Sequence, residues 1–220
     1  MTNIFWQRVD RTEEAQRLTE SERTQTPESW HPDGRTLAFS ELDPKTAAPS
    51  VMMLRLEGDE AAGWRPTPPT LFLEGATSAR FSPDGQWLAY VSRTSAAQGA
   101  EVYVRAFQGQ GGPWQVSTGG GDSPVWSSTR PELFYAGPDH RLMVASYSAR
   151  NGSFHVNKPR ALPESRFAPR PVGAHFDVHP DGARFALGKP SEPETVAKRD
   201  HITIVFDFFD ELRRIAPPRN

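Results

Sequence analysis

The 220-residue chain has no cysteine. Disulfides and thiol nucleophiles are therefore excluded, and redox usage says nothing about compartment. No apolar run approaches the roughly 20 residues that a membrane-crossing helix needs. Charge of one sign is lacking too: 25 Lys and Arg face 27 Asp and Glu, a net −2. That balance gives no reason to expect nucleic acid or an anionic membrane as a partner. The start, Met1 to Asp10, has neither a basic segment nor a long apolar centre, so it is no secretory signal. A chain that begins naturally at Met1 is then expected in the cytosol. One cut from a larger protein carries no such expectation, and the periplasm is open to it.

Catalytic signatures are missing as well. A kinase needs a glycine-rich loop over phosphates, a strand lysine and a His-Arg-Asp loop, and none is present. There is no Gly-x-Ser-x-Gly elbow; Gly121-Asp122-Ser123-Pro124 lacks the second glycine. Gly119-Gly120-Gly121 runs into a predicted strand, not a helix N-terminus, so it reads as a turn and not a phosphate loop. Helical spacing of apolar residues is absent from the repeated part of the chain, which argues against a solenoid of helix pairs.

What is present is a recurring turn. Ser82-Pro83-Asp84-Gly85 leads into Gln86-Trp87-Leu88-Ala89-Tyr90-Val91. It recurs as His31-Pro32-Asp33-Gly34 and as His179-Pro180-Asp181-Gly182, with a worn copy at Ser127-Ser128-Thr129-Arg130. Proline presets φ, aspartate suits the third position, and glycine closes the turn in the left-handed conformation. Such turns join antiparallel strands. Trp87, Ala89 and Val91 then share one face, and Leu88 and Tyr90 the other, so both faces are apolar. Third strands follow at Val51–Leu56, Val102–Phe107, Leu142–Tyr147 and Ile202–Phe206, and shorter fourth strands at Leu71–Leu73 and Trp114–Ser117.

Four antiparallel strands every 45 to 50 residues make the blade of a β-propeller. The expected fold is all-β, with about four four-stranded blades over residues 25–74, 75–118, 119–163 and 164–207. Residues 1–24 supply trailing strands at Ile4–Val9 and Ala15–Thr19. A short C-terminal helix spans 208–216, with Asp207 as N-cap. The opening strands either complete the last blade and close a small ring, or belong to an arc of a larger propeller. The last blade has its own third strand, so the arc is the favoured expectation. An open arc predicts homodimers or aggregation, a closed ring a monomer.

The Ser-Pro-Asp-Gly turn, the Leu-Ala-Tyr-Val strand and the Glu-Val-Tyr-Val-Arg strand resemble the TolB-type propeller repeat. Val102 to Gly121 is similar, more narrowly, to bacterial multi-domain proteins in which such repeats follow a serine/threonine kinase or winged-helix domain. The resemblance implies a non-catalytic propeller for protein or ligand association. The alternative is a regulatory propeller belonging to a larger kinase or peptidase whose catalytic part lies elsewhere. No cofactor is implied.

The first strand of each blade should border the central channel, which makes Arg80, Trp126, His175, Asp177 and His179 the candidate channel-facing residues. His175, Asp177 and His179 alternate onto one face, and two imidazoles with a carboxylate suit a divalent metal. Against this, ligands spaced along one strand splay by ~6.5–7 Å, and His179 holds a turn position that His31 and Ser82 fill elsewhere. No metal is expected. Trp30, Trp87, Trp114 and Trp126 read as packing between blades. Arg65, Arg80, Arg93 and Arg105 are scattered and build no nucleic-acid groove. A protein or small ligand at the channel mouth is the expected partner.

Overall fold

The computed structural model describes residues 1–10, 14–59, 63–92, 99–109, 111–150, 152–168 and 175–189. The expected third strand at 202–206 and helix at 208–216 lie outside them. Within these residues the chain forms strands and one 3₁₀ turn, Pro138–His140.

A two-stranded pair opens the chain, β1 (Phe5–Trp6) with β2 (Gln16–Arg17). The first full sheet holds β3 (Thr24–Trp30), β4 (Thr36–Leu42), β5 (Pro49–Asp59), β6 (Gly63–Pro66) and β7 (Thr70–Glu74). The second runs through β8 (Ala76–Phe81), β9 (Trp87–Ser92), β10 (Glu101–Ala106) and β11 (Trp114–Gln115). The third comprises β12 (Asp122–Trp126), β13 (Glu132–Ala136), β14 (Arg141–Arg150), β15 (Ser153–Val156) and β16 (Arg160–Arg166). Finally β17 (Phe176–Val178) pairs with β18 (Phe185–Leu187). Every pairing is antiparallel.

The turns form as their residues dictate. Gly34, Gly85 and Gly182 have φ of 68°, 71° and 65°. Their N–H groups donate to the carbonyls of His31, Ser82 and His179 at 2.9, 2.9 and 2.8 Å. The aspartates finish the job: Asp33 Oδ1 accepts from the Arg35 and Thr36 N–H groups, and Asp181 Oδ1 from those of Ala183 and Arg184. The Ala183 hydrogen bond, with help from Arg184, holds the Asp181 carboxyl well below the usual carboxylate range. Where Pro-Asp-Gly is lost, the Ser127 hydroxyl substitutes, accepting from the Arg130 N–H at 3.2 Å.

Alternation then stacks the sheets. Leu37, Phe39, Leu54 and Leu56 pack with Ile4 and Leu18 of the opening pair, while Ala38, Val51 and Met53 turn the other way onto Phe81, Leu88 and Tyr90. Trp87, Ala89 and Val91 face Trp126, Leu133 and Tyr135 of the third sheet. Phe134, Ala136 and Val144 face Phe176. Each fully buried apolar side chain contributes about 1.5–3 kcal/mol, so these four seams hold the sheets together.

Two features were not read from the sequence. The third strands of the first and third sheets are long, and each does double duty. The early part of β5 pairs with β7 and its later part with β6; β14 pairs likewise with β16 and then β15. The resulting hairpins reach back across the preceding sheet. Phe154 of β15 sits 5.1 Å from Trp87, 5.9 Å from Trp114 and 4.9 Å from Tyr147, ring centre to ring centre. Trp64 of β6 meets Trp6 edge to face at 6.4 Å.

The second feature is a buried hydroxyl between third and fourth strands. Thr19, Ser117 and Ser165 accept from the N–H groups of Ile4, Val102 and Leu142 at 2.9, 2.8 and 3.2 Å. The same bond thus recurs in the opening pair and in the second and third sheets.

Candidate functional site

The first strands of the sheets, β3, β8 and β12, lie side by side and are tied directly. Glu28 Oε1 accepts from the Ser78 N–H at 3.1 Å, and Ser29 Oγ from the Phe81 N–H at 3.2 Å. The Trp126 indole donates to the Arg80 carbonyl at 2.9 Å. The turns are linked as well: the Ser128 hydroxyl donates to the Pro180 carbonyl at 2.7 Å and the Thr129 hydroxyl to that of Asp181 at 3.1 Å. All three strands carry a break in register, at Pro27/Ser29, Thr77/Arg80 and Asp122/Val125. Ser78 and Ser123, at equivalent places, adopt left-handed φ of 55° and 52°. Bulges of this kind re-aim side chains and end simple alternation.

Where these strands meet their turns they enclose a cleft of about 530 Å³. Trp30 and Pro32 come from the first sheet, Arg80 to Pro83 from the second, Val125 and Trp126 from the third, and Phe176 and Asp177 from β17. Trp30 is 43% exposed, unlike Trp87 and Trp126, which are buried as packing residues. The Arg80 guanidinium has no carboxylate within ion-pair distance among the described residues. The cleft therefore presents a cation between aromatic walls, with a carboxylate contributed by β17.

Three of the five candidate channel residues, Arg80, Trp126 and Asp177, come together here. His175 and His179 do not. Strand β17 is only three residues long, so period-two alternation does not run through the flanking histidines. His175 stacks on Phe167 at 5.1 Å and lines a separate cavity of about 300 Å³ with His140 and Asp122. His179 stands in its turn, accepting at Nδ1 from the Asp181 N–H at 3.2 Å. Among the described residues no group of three or more His, Asp and Glu is placed to hold a metal ion.

Glu28 is the residue that sequence reasoning missed. It occupies the register of Ala79 and Pro124 in the neighbouring first strands, so a carboxylate stands where its counterparts are apolar. Comparing the repeats position by position would have exposed it. Burial pushes its carboxyl above the ordinary value, against hydrogen bonds from Ser40 and Ser78 and the charge of Arg80; the charge of Asp122 adds to the rise. The glycine run carries no such charge-binding capacity. The N–H groups of Gly119 and Gly120 donate to Glu101 Oε1 at 2.8 and 2.9 Å, and so are already used. Arg105 lies 5.0 Å over the Phe72 ring, and Arg93 is outside the described residues.

Repeated antiparallel sheets of four or five strands, packed face to face with their first strands side by side, define a β-propeller. The propeller is TolB-like. TolB from Acinetobacter baumannii superposes with a TM-score of 0.54 at 18% identity, over 82% of this chain and 42% of that one. A TolB structure from Agrobacterium tumefaciens gives a TM-score of 0.46 at 14% identity, over 64% of this chain and 51% of its own. The chain thus spans about half, or less, of the length of these structures. No family model matches the sequence, and no curated protein does. Among the described residues no helix is long and apolar enough to cross a membrane.

Proposed function

We propose that this chain is a non-catalytic binding module whose cleft receives an extended segment of a partner protein. The supporting observation is Arg80 itself, a cation with no carboxylate within ion-pair distance among the described residues, which lines the cleft together with the exposed Trp30 and with Trp126. Aromatic surfaces with an arginine are what anchor a bound peptide most strongly. A guanidinium accepts a carboxylate in bidentate fashion. A segment with an acidic side chain next to an apolar one fits that pairing. The sheets fix the geometry, and the turns and first strands supply the contacts.

The reading is tested by selecting binders from a random peptide array with the purified chain, then measuring them on Arg80→Gln and Trp30→Ala. Enrichment of acidic-apolar peptides that lose tenfold or more in affinity on either variant supports it. Peptides that bind both variants as tightly as the parent would remove the cleft from consideration. A second reading, a sensor propeller beside a catalytic domain, draws on the likeness of Val102 to Gly121 to kinase-linked repeats. A reading frame that continues upstream into a kinase or peptidase domain would favour it, and the cleft would then serve regulation.

A further inference from the structure

A different part of the molecule carries unbalanced charge. On the outer edge of the third sheet, Arg141 of β14 and Arg166 of β16 are direct cross-strand partners. Residues directly opposite in an antiparallel pair project to the same side, with Cα atoms about 4.5–5.5 Å apart. Like charges so placed repel. Among the described residues no carboxylate lies within 4 Å of either guanidinium. Both line a cavity of about 420 Å³ formed where the register of β16 shifts, between Arg141 and Met143 on the facing strand. Glu164 lines it too, with a left-handed φ of 50°, and pairs with neither arginine. At the cavity floor the buried Ser165 hydroxyl donates to the Leu162 carbonyl at 2.7 Å and accepts from the Leu142 N–H, tying β16 to β14.

We propose that Arg141 and Arg166 form a site for a phosphate dianion, free or as the phosphoryl group of a small ester. Two guanidiniums on one side of a sheet offer paired N–H donors matched to phosphate oxygens, and an anion between them would offset their mutual repulsion. The site spans the third and fourth strands of its sheet, β14 and β16, away from the cleft of the first strands, and does not depend on the peptide-binding reading.

The test uses the whole chain. Inorganic phosphate and glycerol 3-phosphate are titrated in separate arms at constant ionic strength, with chloride as the control. Arginine side-chain NMR signals and the melting temperature are read. Saturable shifts of the Arg141 and Arg166 signals are expected, with affinity falling at least tenfold in Arg166→Gln. The tighter arm identifies the free ion or the ester. Arg160→Gln, outside the cavity, should bind as the parent does. Arg166→Glu should melt higher in phosphate-free buffer, since a cross-strand ion pair replaces the repulsion, and should lose the phosphate response. Shifts no larger than those in chloride, or equal in Arg166→Gln, would overturn the site.

Discussion

His31 in the first turn donates through Nε2 to the carbonyl oxygen of Gly85 in the second, across 3.1 Å. The tautomer follows from the other nitrogen, since Nδ1 accepts from the Asp33 N–H at 3.1 Å. Neighbouring turns are therefore fitted to each other, and the glycine is needed twice over. It supplies the left-handed φ, and it leaves room for the ring.

Gly34 and Gly85 separate those two needs. Both have positive φ, but a Cβ on Gly34 would meet nothing within 4 Å, whereas one on Gly85 would overlap the His31 imidazole. Gly34→Ala should cost about 1–2 kcal/mol, the expense of a left-handed alanine. Gly85→Ala should cost more, and His31→Ala should recover part of the difference. Denaturant melts of the two single variants and the double variant provide the comparison; equal losses at the two glycines would show that the ring yields freely.

The buried hydroxyls should matter out of proportion to their size. Ser117→Ala and Ser165→Ala leave the Val102 and Leu142 N–H groups without their side-chain acceptor, and Ser117→Ala also removes a donor to Glu101. A loss of roughly 1–3 kcal/mol is expected for each. Unfolding midpoints in urea report it, and an unchanged midpoint would mean that water replaces the hydroxyl at no cost.

Glu28 should make stability depend on pH in an unusual direction for a carboxylate. Its pKa is raised by burial, so the folded chain holds the proton more tightly than the unfolded chain. The penalty is absent below the ordinary glutamate value and grows as pH rises from there through the raised one. Glu28→Gln keeps the acceptor oxygen for Ser40 and Ser78 without the charge. It should be the more stable protein at pH 7, with the gap closing as pH falls. A gap that widens in acid would reverse the sign of this assignment.

Tyr135 gives the alkaline counterpart. Burial, with the charge of Glu101, raises its phenol to about 12 from the ordinary 10. Between those values the unfolded chain releases a proton that the folded chain keeps, so stability should fall as pH rises from about 10 towards 12. A phenolate absorbance titration should show Tyr135 among the last of the four tyrosines to ionise, and Tyr135→Phe should flatten the decline.

Much of this fold was legible because turn chemistry is local. Pro-Asp-Gly specifies its own hydrogen bonds, and the alternation of Trp87 to Val91 names its two seams. Legibility ended where the backbone departs from its own period. The bulges at Ser78 and Ser123 reset which side chains point inward, and β17 is too short to carry His175 and His179 onto the face of Asp177. Glu28 stayed hidden because a lone acid between Pro27 and Ser29 looks like a solvated strand end until its counterparts are seen to be buried. The hairpin strands β6 and β15 are not marked by any repeat signal, since their partners lie in the later halves of strands already assigned.

Those hairpins limit how such a chain can be rearranged. Phe154 is a plug whose socket, Trp87 and Trp114, is built by the unit before it, and Trp64 stands in the same relation to Trp6. Units that began as copies have become keyed to their predecessors. Deleting or shuffling one would present a plug to the wrong socket, so the order of the blades is written into their side chains as well as into the chain that links them.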